Sequence, residues 1–167
     1  MDLLEEIRAK HQPKIEDVEE IKIETGPVAF TSAGITNPKI GVEGKFSLCF
    51  LAALSLAEGN VTLDKFTNEK VNDPQLIQLR KKVNATLVRE LNLGARVAVK
   101  MKDGTIYRGF LKAPKGDPTN PISFDEIEEK FRNIARLAIP EKNMELVIEL
   151  IKNFERLSDL EEIIALL

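Results

Sequence analysis

An apolar stretch in the middle of the chain constrains the fold more than any other feature. Residues 45–58 place Leu, Phe, Ala and Cys on nearly every side of a helix, and Gly59-Asn60 follows as a stop signal. A helix without a polar face has to be covered all round, so this pattern predicts the central buried helix of a globular domain. The near-continuous apolar part, residues 46–57, has roughly half the length of a membrane span.

Charge and cysteine content narrow the classes of partner. The formal net charge of -3 provides neither a basic field for nucleic acid nor a polybasic patch for anionic lipid. The single cysteine, Cys49, lies in the apolar run, which excludes a disulfide framework and a thiol-rich metal site. The acidic, amphipathic N-terminal residues lack the layout of a signal peptide. We therefore expect a cytoplasmic protein that binds neither nucleic acid nor a membrane.

Short strands and helices are predicted on either side of the buried helix. Alternating apolar and polar residues predict a strand over residues 18–24. Two further strands, residues 96–100 and 106–111, flank Lys102-Asp103-Gly104, which is a strong hairpin signal. Residues 86–90 indicate one more strand, and residues 28–44 a long connection. Helices are predicted over residues 3–10, 62–66, 73–82, 123–137, 141–157 and 159–167.

These elements predict the α+β class, with a small hairpin-containing sheet backed by the buried helix. Residues 1–137 are expected to form an α/β domain. Residues 138–167 are expected to form a helical segment that packs on this domain or on a partner, because Leu and Ile recur there at helical spacing. Such an apolar stripe needs a cover, so we expect an interface, with a homodimer as one form of it.

Side chains that could carry chemistry are scarce. His11 follows a charged helix, where a solvated imidazole near the C-terminal end of the helix dipole is expected. The adjacent acidic pairs Glu128-Glu129 and Glu161-Glu162 splay across a helix surface, so we expect them to be solvated. With one histidine and one cysteine, a metal site would have to rest on carboxylates. We assign no catalytic residue and no metal ligand.

The run over residues 37–50 has the pattern of an anion-binding site. Lys45 and Ser47 are placed at the first turn of the buried helix, where free N–H groups and the helix dipole attract anions. Lys39 precedes them, and Gly41 and Gly44 would let the backbone approach a ligand closely. The alternative is that Lys45 only solubilises a helix end and Ser47 only caps it.

The same run resembles a known family. Residues 37–50 are similar to the pattern Asn-Pro-Lys-Thr-Gly-Leu-Glu-Ala-Lys-Phe-Ser-Leu-Pro-Tyr of the MmgE/PrpD family. Further blocks match in the same order along nearly the whole chain: Phe66-Thr67, Val71-Asn72-Asp73-Pro74, Lys102-Asp103-Gly104, residues 114–121, residues 128–132 and residues 157–160.

The resemblance implies a lid domain. Members of this family include 2-methylcitrate dehydratases, cis-aconitate decarboxylases and iminodisuccinate epimerases, which act on small polycarboxylates without a metal or an organic cofactor. They pair a large all-helical domain with a smaller α/β lid, and the active site lies between the two. This chain resembles the lid and the helices that follow it, so Lys45, Ser47 and Lys39 are expected to bind a substrate carboxylate.

Two departures from the family pattern shape the functional hypothesis. The chain begins at Met1, after the point where a family histidine would fall, and Phe50 stands where the family often has a tyrosine. The hydroxyl of that tyrosine is a possible hydrogen-bond donor or proton shuttle. We therefore expect a lid that acts as part of a lyase only when a separate all-helical subunit completes it. The alternative is a non-catalytic binding or interaction module, or a remnant, derived from such a lid.

Overall fold

The computed structural model describes all residues from Met1 to Leu167 and divides them into two compact units, Met1–Pro121 and Ile122–Leu167. The division lies earlier than the boundary expected after residue 137. The reason is that the helix starting after Ser123 pairs with the next helix along the chain. Arg132 on the first of these helices and Glu145 on the second form an ion pair at 2.6 Å.

The first unit contains a four-stranded sheet with six α-helices. The strands are β1 (Val18–Thr25), β2 (Val83–Leu87), β3 (Ala95–Met101) and β4 (Ile106–Leu111). The helices are α1 (Asp2–His11), α2 (Pro27–Ser32), α3 (Gly41–Gly44), α4 (Leu48–Glu58), α5 (Asn68–Val71) and α6 (Pro74–Arg80). Short 3-10 turns lie at Ile15–Asp17, Leu63–Lys65 and Arg89–Leu91.

The sheet has the order β2-β1-β3-β4, so β1 and β3 are its two inner strands. β1 pairs in parallel with β2 and antiparallel with β3, which forms the expected hairpin with β4. The hairpin turn places Gly104 at φ 88, a conformation that glycine adopts without strain, and the Asp103 carboxylate accepts a hydrogen bond from the Thr105 N–H at 2.8 Å. The side chains of Ile21, Ile23 and Thr25 alternate into the core.

Helix α4 lies at the centre of the unit, as its sequence predicts. It contacts α1, α6 and β2, and residues 52–56 are all buried. The core joins one face of the sheet to α1, α4 and α6, with fully buried Val18, Ile21, Leu54, Leu56 and Val99 at its centre. Burial of side chains of this size contributes roughly 1.5–3 kcal/mol each, so the contact of α4 with the sheet core stabilises the unit. The expected α+β class is confirmed.

Several boundaries differ from the sequence-based expectation. The segment expected to be one long connection contains α2 and α3, and β2 lies earlier than residues 86–90. The position of β2 depends on its parallel pairing with β1, in which Ile21 faces Val83, and local sequence carries no signal for that partner. Helix α4 begins at Leu48 rather than at residue 45.

The second unit is helical throughout. It contains α7 (Phe124–Ala135), α8 (Glu141–Lys152), a 3-10 turn at Phe154–Arg156 and α9 (Glu161–Ile164). α7 starts with a capping box, in which the Ser123 side chain accepts from the Glu126 N–H while the Glu126 carboxylate accepts from the Ser123 N–H. The two helices expected after residue 141 are shorter than expected, because α8 ends at Lys152 and α9 covers four residues.

Candidate carboxylate-binding site

The run that carries the expected site residues is a closed loop. The Ile35 N–H donates to the Phe46 carbonyl at 3.0 Å, and the Leu48 N–H donates to the Ala33 carbonyl at 2.9 Å. Between these two bonds, Gly34 and Ser47 form an isolated antiparallel bridge. The loop therefore leaves and re-enters the domain at the same place, directly at the start of α4.

The glycines of the loop serve contacts within the chain. A Cβ atom on Gly41 would lie 2.1 Å from the Phe66 carbonyl oxygen, and one on Gly44 would lie 2.9 Å from the Phe50 ring. The Gly41 N–H donates to the Asn68 side-chain oxygen at 2.9 Å. Both glycines are buried. They allow the loop to pack closely against other parts of the chain, whereas the sequence suggested a close approach of the backbone to a ligand.

Ser47 caps α4. Its hydroxyl accepts a hydrogen bond from the Phe50 N–H at 3.2 Å, and its side chain is fully buried. The sequence places Ser47 in the first turn, whereas the structure makes it the residue just before the helix. In this position the hydroxyl stabilises the helix start and does not face solvent.

The two lysines are exposed and have different surroundings. The Lys45 ammonium nitrogen lies 5.7 Å from the centroid of the Phe66 ring, within the range of a cation–π contact. Lys39 is held by its backbone, because its N–H donates to the Glu43 carboxylate at 2.6 Å and its carbonyl accepts from the Asn72 amide at 3.0 Å. Both ammonium groups can therefore reach a ligand, whereas Ser47 cannot without movement of the loop.

A buried arginine holds the loop through hydrogen bonds to Asn37 and Pro38. Arg80, the last residue of α6, is 7% exposed and donates to the Pro38 and Val71 carbonyls at 3.4 and 3.0 Å. Its Nη2 donates to the Asn37 side-chain oxygen at 2.7 Å. Arg80 was not among the expected site residues, although its spacing from Leu76 places it on the same buried face of the helix.

A polar cavity of about 360 Å³ opens beside this arginine. Its lining includes Thr36, Asn37, Lys39, Asn72, Arg80 and Lys81, with no acidic residue. Burial lowers the pKa of Arg80, and only the charge of an ionised Cys49 would act against this change. Burial also raises the pKa of Cys49, which keeps the thiol protonated. Of the three residues expected to bind a carboxylate, Lys39 lines this cavity, and Lys45 and Ser47 do not.

Phe50 adds no polar group to the loop. Its ring is fully buried and meets the Phe66 ring edge-on, with centroids 6.4 Å apart. The position where the family often has a tyrosine is therefore filled by an apolar contact. The arrangement can bind an anion through exposed lysines, but this side chain offers no hydroxyl for proton transfer.

Two other expectations concern titratable groups outside the loop. His11 is exposed, as expected, and its ring stacks on Tyr107 with centroids 4.3 Å apart. The expectation for Glu128 is wrong, because this carboxylate is 8% exposed and pairs with Lys152 at 2.5 Å and with Arg132 at 3.5 Å. It joins α7 to α8 where the sequence suggests a solvated surface.

The structure contains no cluster of three or more His, Cys, Asp or Glu side chains able to hold a metal ion. None of its helices combines the length and the apolar character that a membrane span requires.

Comparison with known proteins identifies the family. The model of the MmgE/PrpD C-terminal domain matches residues 1–155. The cis-aconitate decarboxylase-like protein oryM of Aspergillus oryzae is 28% identical over 136 residues, which are 78% of this chain and 28% of that protein. The human cis-aconitate decarboxylase is 29% identical over 122 residues, or 70% of this chain and 25% of the human protein. The chain thus spans about a quarter of the length of these relatives, and it belongs to the MmgE/PrpD C-terminal domain family.

Proposed function

We propose that this chain is the lid of a lyase that acts on small polycarboxylates, and that an all-helical subunit encoded separately completes the enzyme. Membership of the family supports the lid role, and the matched relatives are named for the decarboxylation of cis-aconitate. The observation that carries the proposal is the closed loop before α4, which holds Lys39 and Lys45 at the surface. Small polycarboxylates are the ligands that such cations attract.

Charge stabilisation is the contribution that we assign to this chain. Removal of a proton next to a carboxylate requires a base, an acid and a cationic environment in one pocket. Lys45 and Lys39 would provide the cationic environment by binding substrate carboxylates. Ser47 would act indirectly, because its cap fixes the start of α4 and therefore the end of the loop. The base and the acid would come from the helical subunit.

The exposed apolar side chains of the second unit support the existence of a partner. Leu160, Ile164 and Leu167 are 54%, 67% and 67% exposed. Large apolar side chains that are exposed along one helical segment are a common feature of interfaces. We propose that the helical subunit covers it, and that a homodimer of this chain is the other arrangement to be tested.

The burial of Phe50 favours a second candidate function, a non-catalytic binding or interaction module. In that case the lysines would bind a di- or tricarboxylate, and no turnover would follow with any partner. The two candidates differ in one observable: only the first predicts a lyase activity that depends on this chain.

Reconstitution tests the proposal. We would co-express the chain with an all-helical family subunit and measure decarboxylation of cis-aconitate and dehydration of 2-methylcitrate. Lys45→Ala should lower kcat/KM about 10- to 150-fold, because a charge-assisted contact contributes roughly 1.5–3 kcal/mol. Lys112→Ala, at an exposed lysine of the same unit, is the matched control and should have little effect. A complex that forms with every tested subunit but turns over neither compound would refute the lyase function and leave the binding module.

A further inference from the structure

Arg80 is a buried cation whose hydrogen bonds go to neutral groups. Its three acceptors are the carbonyl oxygens of Pro38 and Val71 and the side-chain oxygen of Asn37. A guanidinium has five N–H donors, so these bonds leave part of the donor set available. A charge removed from water is normally balanced by an opposite charge, and burial lowers the pKa of Arg80 with no carboxylate acting against it.

The cavity beside Arg80 adds to this excess of positive charge. Lys39 and Lys81 add two more cationic side chains to its lining, which contains no acidic residue. The Glu43 carboxylate lies nearby, where it accepts a hydrogen bond from the Lys39 N–H. Thr36 and Asn37 contribute neutral groups that can donate to the oxygens of a ligand without repelling its charge. The amide of Asn72 also lines the cavity, but its N–H groups already donate to the Lys39 and Asn68 carbonyls. The volume of about 360 Å³ falls at the lower end of the range for small-molecule sites.

We propose that this cavity, referred to below as the Arg80 cavity, binds a small oxyanion with more than one negative charge. Arg80 forms the fixed base of the site, because the end of α5 and the loop hold its guanidinium in place through Val71 and Asn37. Lys39 and Lys81 are exposed side chains at the rim, where their ammonium groups would contact the ligand. A phosphate group and a di- or tricarboxylate share this chemistry, and the experiment below distinguishes them.

This site is distinct from the Lys45 contact of the proposed lyase function, and Lys39 is the residue that the two share. Every residue that forms it belongs to the first unit of this chain, and Lys45 is not part of its lining. Binding here links the loop to α6 and so stabilises the folded unit, since a ligand that binds only the native state raises the unfolding temperature. The proposal therefore stands or falls in the isolated chain, without a helical subunit.

Thermal unfolding of the full chain with added anion provides the test. The probes are inorganic phosphate and citrate, each compared with sodium chloride at equal ionic strength. At about ten times the dissociation constant, the midpoint of unfolding should rise by roughly 3–6 °C. A larger effect of phosphate would indicate a phosphoryl-bearing ligand, and a larger effect of citrate a polycarboxylate.

Variants separate binding from the general stabilisation that such salts produce. Lys81→Glu should abolish most of the rise, and Arg80→Lys should reduce it because a lysine lacks the forked donor set. Lys112→Glu, the matched charge reversal outside the cavity, should retain the full rise. Lys45→Ala should also retain it, which distinguishes this site from the carboxylate contact proposed for the lyase.

Two results would overturn the proposal. One is an equal rise in wild type, Lys81→Glu and Lys112→Glu, which would mean that the salts act on the whole surface. The other is no rise with either probe. If Arg80→Lys fails to fold, Lys81→Glu and Lys39→Glu decide the matter, since both side chains are exposed and neither supports the core.

Discussion

Replacement of Gly41 by alanine should destabilise the first unit and displace the loop before α4. The added Cβ would lie 2.1 Å from the Phe66 carbonyl oxygen and 3.1 Å from the Thr67 carbonyl carbon. An ordinary carbon–oxygen contact is roughly 3.3 Å or longer, so the two backbone segments have to separate by about 1 Å. Flexible side chains cannot absorb this movement, because the nearest atoms belong to the backbone.

The size of the effect follows from the cost of overpacking. Forced backbone shifts cost about 1–3 kcal/mol or more, and the loss of the Gly41 hydrogen bond to Asn68 adds about 1 kcal/mol. The lower entropy of the unfolded alanine chain returns about 0.4–1 kcal/mol. A net loss of about 1–3.5 kcal/mol is expected. With a urea slope of about 2 kcal/mol/M, the unfolding midpoint should fall by roughly 0.5–1.8 M.

Urea unfolding followed by far-UV circular dichroism measures this change. Gly34→Ala is the matched control in the same loop, because its added Cβ would have no atom closer than 3.5 Å. Its stability should stay within about 0.5 kcal/mol of wild type, or rise slightly. A Gly41→Ala protein as stable as the Gly34→Ala protein would contradict the view that the loop is fixed by its contact with Phe66.

Two further predictions concern the start of α4. Phe50→Tyr should lower the free energy of unfolding by about 1–3 kcal/mol in the same urea assay, because the new hydroxyl enters a fully buried position. The control, Phe110→Tyr, lies at a site that is 62% exposed and should be nearly neutral. An unchanged Phe50→Tyr protein would show that a hydrogen-bond partner is already present beside the ring. The Cys49 thiol should react slowly with iodoacetamide at pH 8 in the folded state, because burial raises its pKa and the thiolate is the reactive form. The rate of its reaction should keep rising above the pH at which the rate for a free thiol becomes constant. A rate equal to that of the urea-unfolded chain would contradict a raised pKa for Cys49.

Local signals were sufficient for the parts of the fold that depend on neighbouring residues. The absence of a polar face identified α4, and Asp103-Gly104 identified the turn between β3 and β4. The position of β2 was not predictable in the same way. Its partner β1 lies far away along the chain, and the register of a parallel pair is set by tertiary packing.

The candidate site shows the same division. Lys39 and Lys45 are exposed, but Lys45 follows α3 and precedes the cap of α4, whereas the sequence pattern places it in the first turn of α4. The burial of Ser47 did not follow from the sequence, because it depends on the bridge to Gly34 on the other side of the loop. Arg80 and Glu128 were missed for one reason: a charged residue is normally read as solvated, and only the tertiary structure reveals the groups that allow its burial.

The stacking of His11 on Tyr107 has a practical consequence for experiments on this protein. The chain contains one tyrosine, one histidine and no tryptophan, and the structure places the two rings 4.3 Å apart. Tyrosine emission therefore comes from a single place, the junction between the end of α1 and β4. Separation of α1 from the sheet should change that emission without any introduced dye, so the wild-type protein carries its own optical reporter for the docking of its first helix.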